Sequence, residues 1–164
     1  IARSTDAQRL LEQSARWISC TDADSLVADD WLVAQLALNT DAVCGTVRID
    51  DWGPLVDAPA RARYLAAYEA RDGHRHIHGA NLGFSARAYR DAGGFQPLAC
   101  HEDVHLVKRL QASGASIAWS HRPRVTTSAR LDCRARGGFG DYLKSLLIAP
   151  AADQHQPDPR PGAL

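Results

Sequence analysis

The sequence predicts an α/β domain in which helices cover a layered sheet. Segments with the periodicity of a helix alternate with short runs of β-branched and apolar residues over most of the 164 residues, and this alternation is typical of layered α/β folds. Hydrophobic residues make up 45% of the sequence, which is enough for a core and excludes a wholly disordered or fibrous chain. The length suits one compact domain, since single domains commonly have ~100–150 residues.

The first four predicted elements are helix 5–15, strand 16–20, helix 29–39 and strand 42–49. A cluster of polar capping residues begins the first helix, whose leucines lie on one face. The strand RWISC is a short apolar run that ends in the polar turn TDADS. Helix 29–39 has an acidic start followed by leucines at helical spacing. The run AVCGTVRI is apolar and rich in β-branched residues, which favours a strand.

The next three elements are helix 58–71, strand 81–85 and a helical turn that ends near Tyr89. Pro59 stands in the first turn of the helix, where proline is tolerated. A polar loop over residues 72–79 separates this helix from the strand, and we expect the glycine pair after Tyr89 to stop the helical turn.

The last predicted elements are helix 102–112, strands 116–119 and 124–127, and helix 139–147. Two acids stand at the positive end of helix 102–112 and a glycine follows its other end, which are favourable start and stop signals. From residue 149 the chain is rich in proline, aspartate, glutamine and glycine. We therefore expect one domain over residues 1–148 and a disordered tail over residues 149–164.

Charge and cysteine content argue against several classes of protein. Nineteen basic and nineteen acidic residues cancel, whereas binders of nucleic acids and anionic membranes normally carry a basic excess. The apolar stretches are much shorter than the ~20 residues that span a bilayer. The four cysteines are widely spaced and form no C-x-x-C pair, which predicts free thiols and a cytoplasmic protein.

Two aspartates directly follow the first predicted strand. Asp22 and Asp24 are two residues apart at its carboxyl end, where open α/β sheets bind their ligands. Carboxylates in this arrangement can converge on Mg²⁺ or Mn²⁺ and leave room for a diphosphate to complete the coordination. An ordinary turn or helix cap uses the same residue types, so the pair alone leaves both interpretations open.

Two further segments carry polar groups suited to a binding or catalytic site. Glu102 and Asp103 open helix 102–112, and a carboxylate at a helix N-terminus is stabilised as the anion that a general base requires. Acids are also common at this position without any function. In the segment HGANLGF, residues 78–84, two glycines flank an asparagine and allow a ligand to approach the backbone closely. A β-turn that leads into a strand is the alternative.

Three histidines alternate at His74, His76 and His78. In a strand, such alternation would place three imidazoles on one side, as in a zinc site. The segment has no cysteine nearby, so histidines that face solvent or substrate are the favoured interpretation.

The order of these segments resembles that of the family 2 glycosyltransferases. A strand followed by D-A-D-S, then H-G-A-N-L-G-F-S-A-R, G-G-F and finally H-E-D-V-H-L-V-K-R-L, extends over about residues 5–147. The resemblance implies an α/β, GT-A-like layered domain with a mainly parallel, mixed central sheet flanked by helices. The first nucleotide-binding strands of that fold have no counterpart here, and the chain has no methionine. We therefore expect the chain to begin inside such a domain and to comprise its second half or more.

The resemblance also implies roles for the acidic residues. Asp24 would be the principal ligand of Mg²⁺ or Mn²⁺, and Asp22 would contact the ribose or the same metal. Asp103 would be the general base that deprotonates the acceptor hydroxyl, and Glu102 would orient the acceptor or tune Asp103.

The same resemblance implies the substrate contacts and the reaction. Gly79, Ala80 and Asn81 would line the sugar pocket, and Arg130 would contact the departing diphosphate. The reaction would be an inverting transfer from a nucleotide-diphosphate sugar to a hydroxyl on a sugar, lipid or small-molecule acceptor. Family members often have a late histidine as a third metal ligand, but the comparable stretch here reads TTS. The Q-x-x-R-W motif of processive synthases is also missing, so synthesis of long chains is not expected.

Two other functions stay open at this stage. The first is a transferase-like module that binds a glycan or a protein without catalysis. The second is a metal-dependent phosphohydrolase with Asp22 as nucleophile, which is disfavoured because the only lysines, Lys108 and Lys144, lie within predicted helices. Trp52 is a candidate either to stack on a sugar ring or to belong to the core.

Overall fold

The computed structural model of the chain describes residues 5–9, 14–131 and 139–148, which form an α/β arrangement of one five-stranded sheet flanked by helices. In chain order the elements are α1 (5–9), β1 (Trp17–Cys20), β2 (Leu26–Val27), α2 (Trp31–Ala37), β3 (Ala42–Ile49), α3 (Ala58–Ala67), a 3₁₀ turn (Gly79–Asn81), β4 (Leu82–Ser85), α4 (Ala86–Asp91), α5 (Glu102–Ala112), β5 (Ile117–Thr127) and α6 (Phe139–Ile148). Within the described ranges, no helix has the length and apolar character needed to cross a bilayer.

The sheet is mixed, and the prediction that it is mainly parallel is wrong. The strand order is β1-β4-β3-β5-β2. Only β3 and β5 pair in parallel, whereas β1 with β4, β3 with β4, and β2 with β5 are antiparallel. The physical reason is the position of β4, which lies between β1 and β3, starts beside the last residue of β1 and runs opposite to both strands. Periodicity in a sequence identifies a strand, but its direction depends on where the connecting segment re-enters the sheet.

The pairing places several loops at one edge of the sheet. Strands β1, β3 and β5 run in the same direction, and Cys20, Leu82, Cys44 and Trp119 lie side by side across four strands. The segment after β1 and the turn before β4 therefore emerge at the same edge, which we call the carboxyl edge. Strands β1 and β2 are the two outermost strands, so residues 21–25 cross this edge to connect them.

Several predicted elements are confirmed, and others differ in extent. Strand β3 and helix α5 have the predicted bounds. Helix α3 ends at Ala67, four residues before the predicted end. The two strands predicted over 116–127 are one strand, β5, because a bulge takes up the polar residues between them: Gly45 pairs with Ser120 and the next residue of β3 pairs with Arg124. The predicted disordered tail, 149–164, lies outside the described residues.

Two of the three apolar clusters among the described residues involve the helices α3 to α6. Helices α4 and α5 pack on one of them, in which Phe84 stacks on Tyr89 at a ring distance of 5.1 Å. Helices α3 and α6 contribute to the other, where Trp52 is buried and lies edge-on to Tyr64 with the ring centroids 5.2 Å apart. Of the two interpretations of Trp52, the structure therefore places it in the core.

Candidate functional site

Asp103 contacts the turn that precedes β4. Its Oδ2 accepts a hydrogen bond of 2.8 Å from the backbone N–H of Gly79, and its Oδ1 accepts one of 2.8 Å from the N–H of Val104. Asp103 also lies close to Cys44 in β3, since burial and then the charge of Asp103 raise the pKa of that thiol. Two segments that are 24 residues apart in sequence thus meet at the carboxyl edge, with one carboxylate held by two backbone N–H groups.

Asn81 is a buried brace between three elements. Its side chain has no solvent exposure. The amide Nδ2 donates to the carbonyl oxygens of Thr46 and Pro123 at 2.7 and 2.8 Å, and Oδ1 accepts a 2.8 Å hydrogen bond from Nε1 of Trp31. These bonds use both amide hydrogens, so the side chain joins the turn to β3, β5 and α2. This amide could donate a hydrogen bond to a sugar only if one of the two bonds from Nδ2 broke.

The backbone of β3 leaves room for Asn81 only because residue 45 is glycine. A Cβ atom at Gly45 would overlap the amide group of Asn81. Close packing of a backbone against a polar side chain is a typical reason for glycine inside a strand. Gly45 and Asn81 therefore form one packing unit that fixes the turn Gly79–Asn81 against the sheet.

The Asp22–Asp24 turn lies at the same edge and faces the end of β5. The N–H of Ser25 donates to the carbonyl oxygen of Asp22 at 3.1 Å, which closes the turn. The hydroxyl of Ser25 lies 3.0 Å from that of Thr127, and Nη1 of Arg130 lies 3.4 Å from Oδ2 of Asp24. Both members of that ion pair are about half exposed or more, so the pair is weak and can be exchanged for a ligand.

The donor atoms of this turn fit a hard divalent cation by type. The two carboxylates supply the oxygen ligands that Mg²⁺ and Mn²⁺ prefer, and the Asp24 side chain is 48% exposed. In the part of the chain that the structure describes, no group of three or more His, Cys, Asp or Glu side chains is arranged to hold a metal. A cation bound by Asp22 and Asp24 would therefore need further ligands from a bound substrate.

The predicted alternating histidines belong to a stack of aromatic rings. Tyr68 stacks on Tyr64 at 5.1 Å and on His76 at 4.3 Å, and His76 stacks in turn on His74 and His78 at 5.4 and 5.8 Å. His74 is buried, contrary to the expectation of a solvated loop. Rings stacked face to face do not direct three nitrogens at one point, which argues against the zinc interpretation.

Tyr68 links this stack to the site. Its hydroxyl oxygen accepts a 2.8 Å hydrogen bond from the N–H of Val47 in β3 and lies 3.0 Å from Nε2 of His78. Burial, reinforced by the neighbouring His76 and His74, lowers the pKa of His78 to about 3. His78 is therefore neutral at physiological pH, and it immediately precedes Gly79, whose N–H binds Asp103.

The free energy of unfolding is expected to fall between pH 7 and pH 5 because of His78. Its pKa is about 3 in the folded chain and about 6.5 when unfolded. Below pH 6.5 the unfolded chain binds a proton at His78 that the folded chain does not bind. The contribution of His78 to the free energy of unfolding is therefore fully present above that pH and decreases by up to ~1.4 kcal/mol per pH unit as the pH falls. Urea unfolding at pH 7, 6 and 5 measures this slope. His78→Gln should flatten it, and identical slopes for the two proteins would contradict the assignment.

The structure brings some of the predicted site residues together and buries others. Asp103 meets Gly79, and Asp24 meets Arg130, all at the carboxyl edge. Glu102 is half-buried beside Asp103 at the start of α5. The three residues of the turn Gly79–Asn81 are all buried. This turn therefore supports the structure of the site. Sequence reasoning missed the Tyr68–His78 pair, since only the tertiary structure brings α3 against the turn.

An open concavity of about 400 Å³ lies elsewhere, between α2 and the bulge in β5. It is lined by Asp30, Ala34, Ala37, His121, Arg122 and Arg124. None of the predicted site residues lines it. Arg124 lies 3.7 Å from Asp30 within it, and His121 pairs with Asp72, which is not one of the lining residues.

No model of a known protein family matches the chain, and no curated protein is significantly similar to it in sequence. The resemblance to family 2 glycosyltransferases therefore stays a prediction from the order of the motifs.

Proposed function

We propose that the chain forms the metal-binding and acceptor-binding side of a sugar transferase that uses a nucleotide-diphosphate donor. The observation that carries the proposal is that the D-A-D turn directly follows β1 and the G-A-N turn directly precedes β4 where Cys20 pairs with Leu82, so both turns lie at the carboxyl edge of the sheet. The D-A-D turn crosses this edge, the G-A-N turn emerges from it, and Asp103 is hydrogen-bonded to the G-A-N turn at 2.8 Å. In open α/β sheets ligands bind at this kind of edge.

In the proposed chemistry, the pair Asp22 and Asp24 has one role and Asp103 has another. Departure of a nucleoside diphosphate leaves negative charge on its β-phosphate, and a divalent cation bound there would offset that charge. Asp22 and Asp24 would hold the cation, and Arg130 is within reach to exchange its contact with Asp24 for a phosphate oxygen. Asp103 would accept the proton of the acceptor hydroxyl, with its Oδ2 oriented by the Gly79 N–H.

A binding module without catalysis is the second candidate. It is favoured by the burial of Gly79, Ala80 and Asn81, because these residues then offer little surface for the sugar contacts of a transferase. It is also favoured by the loose pairing of Asp24 with Arg130. A module of this kind would bind a glycan whether or not a divalent cation is present.

Binding of Mn²⁺ together with a nucleoside diphosphate tests the proposal. Electron paramagnetic resonance of Mn²⁺ titrated with the full-length protein, in the presence of UDP or GDP, should show bound metal for the wild type. Asp24→Asn should weaken this binding by at least about tenfold, because one carboxylate ligand loses its charge. The matched control is Asp29→Asn, which changes an exposed aspartate shortly after residues 21–25 in the sequence. This variant should bind Mn²⁺ like the wild type. Equal binding by both variants would exclude Asp24 as a ligand.

A further inference from the structure

We propose that Tyr68 is a positioning residue for Asp103, acting through His78 and the backbone of Gly79. The proposal rests on the proposed function only in treating Asp103 as a base. The contacts themselves form a continuous chain from β3 to α5: Val47 N–H to Tyr68 Oη, Tyr68 Oη to His78 Nε2, and Gly79 N–H to Asp103 Oδ2.

The direction of the hydrogen bonds follows from the donors that are present. The N–H of Val47 can only donate, so the Tyr68 oxygen accepts from it at 2.8 Å. The hydroxyl proton of Tyr68 is then directed at Nε2 of His78, 3.0 Å away. Among the described residues, Nε2 of His78 is the group beside this oxygen that can accept the hydroxyl proton. We therefore assign the ring proton of the neutral His78 to Nδ1.

This arrangement fixes the peptide between His78 and Gly79. The His78 ring is held at one end by the Tyr68 hydroxyl and on its face by His76, at a ring distance of 5.8 Å. The peptide that follows carries the N–H that binds Asp103. Its carbonyl oxygen also accepts a 2.9 Å hydrogen bond from the N–H of Asn81. Loss of the Tyr68 hydroxyl would therefore loosen the His78 ring, and a small shift of the peptide would lengthen the bond to the carboxylate.

The neighbouring Tyr64 provides a matched control. It stacks on Tyr68 at 5.1 Å and lies in the last turn of α3, four residues before Tyr68, which directly follows the helix. Its hydroxyl is buried and has no hydrogen-bond partner among the described residues. Tyr64→Phe therefore removes the same atom from the same ring stack without breaking the chain of contacts.

The test compares the two variants by NMR and by kinetics. Tyr68→Phe should move the Gly79 amide proton upfield relative to the wild type, as its bond to Asp103 lengthens, and should lower kcat for release of nucleoside diphosphate about tenfold with little change in KM. Tyr64→Phe should leave the Gly79 signal and kcat unchanged. An unchanged Gly79 signal in Tyr68→Phe, or the same effects in both variants, would overturn the proposal.

A measurement on the wild-type protein covers the case in which Tyr68→Phe does not fold. The ¹⁵N shifts of the His78 ring should show an unprotonated Nε2 and a protonated Nδ1, and a protonated Nε2 would overturn the proposal. If the wild type releases no nucleoside diphosphate from any nucleotide sugar, the proposed function fails. The NMR results still decide whether Tyr68 positions Asp103.

Discussion

Replacement of Asp103 by asparagine should lower the rate of nucleoside diphosphate release, measured with a donor and an acceptor, by ~10²–10⁴-fold. The acceptor hydroxyl needs a base to take its proton, and an amide cannot supply one. The fold should survive, because the asparagine Oδ1 can still accept one of the two backbone hydrogen bonds from Gly79 and Val104. A circular dichroism spectrum like that of the wild type would confirm this.

Glu102→Gln is the control for Asp103→Asn. Both changes remove one negative charge from the first turn of α5, so they alter the interaction with the helix dipole to a similar extent. If Asp103 is the base, Glu102→Gln should retain most of the activity or change mainly KM. If Asp103→Asn released nucleoside diphosphate at the wild-type rate, Asp103 would not be the base.

Replacement of Gly45 by alanine should lower the free energy of unfolding by about 3 kcal/mol. The new Cβ would overlap the amide of Asn81, and overpacking of a core usually costs ~1–3 kcal/mol. Displacement of that amide would also leave Trp31 Nε1 and the carbonyl of Thr46 without their buried partner, each at a cost of ~1–3 kcal/mol. Some relaxation of the turn should offset part of this sum. Urea unfolding of the two proteins measures the difference.

A double-mutant cycle separates the steric contact from a general weakness of β3. Asn81→Ala alone should also destabilise the chain, since it removes three buried hydrogen bonds. In the Asn81→Ala background the Cβ at position 45 has space, so Gly45→Ala should cost at least ~1 kcal/mol less than in the wild type. Additive costs would show that Gly45 and Asn81 do not act as one unit.

The elements with strong local signals could be predicted from the sequence. Strand β3 is a run rich in apolar and β-branched residues, and α5 has acids at its first turn and a glycine after its last. Both were predicted with their observed bounds, because the signals for their ends are within the segment itself.

The features that depend on partners far away in sequence could not be predicted. Strand β2 has only two residues, both exposed, and exists because β5 pairs with it. The polar stretch within β5 indicated a break, but pairing with β3 continues on both sides of a bulge. The antiparallel insertion of β4 likewise depends on the path of the chain through the turn Gly79–Asn81.

The candidate site was predicted in outline but not in its internal contacts. The motifs identified Asp22, Asp24 and Asp103, and the structure adds that Asp103 is bound by Gly79. The role of Asn81 as a buried brace was not foreseen, because an asparagine between glycines is equally compatible with a ligand contact. A glycine in the middle of β3, Gly45, was the available signal that another group approaches that strand closely.

The most direct test of the central claim is the release of nucleoside diphosphate from nucleotide sugars. The full-length protein would be incubated with a panel of UDP-, GDP-, ADP- and dTDP-sugars, a mixture of hydroxyl acceptors and Mn²⁺, and the free nucleoside diphosphate would be quantified. The proposed function predicts release from at least one donor, loss of release on addition of EDTA, and recovery when Mn²⁺ is restored. The absence of release from every donor by folded protein, or release that EDTA leaves unchanged, would contradict a metal-dependent sugar transferase.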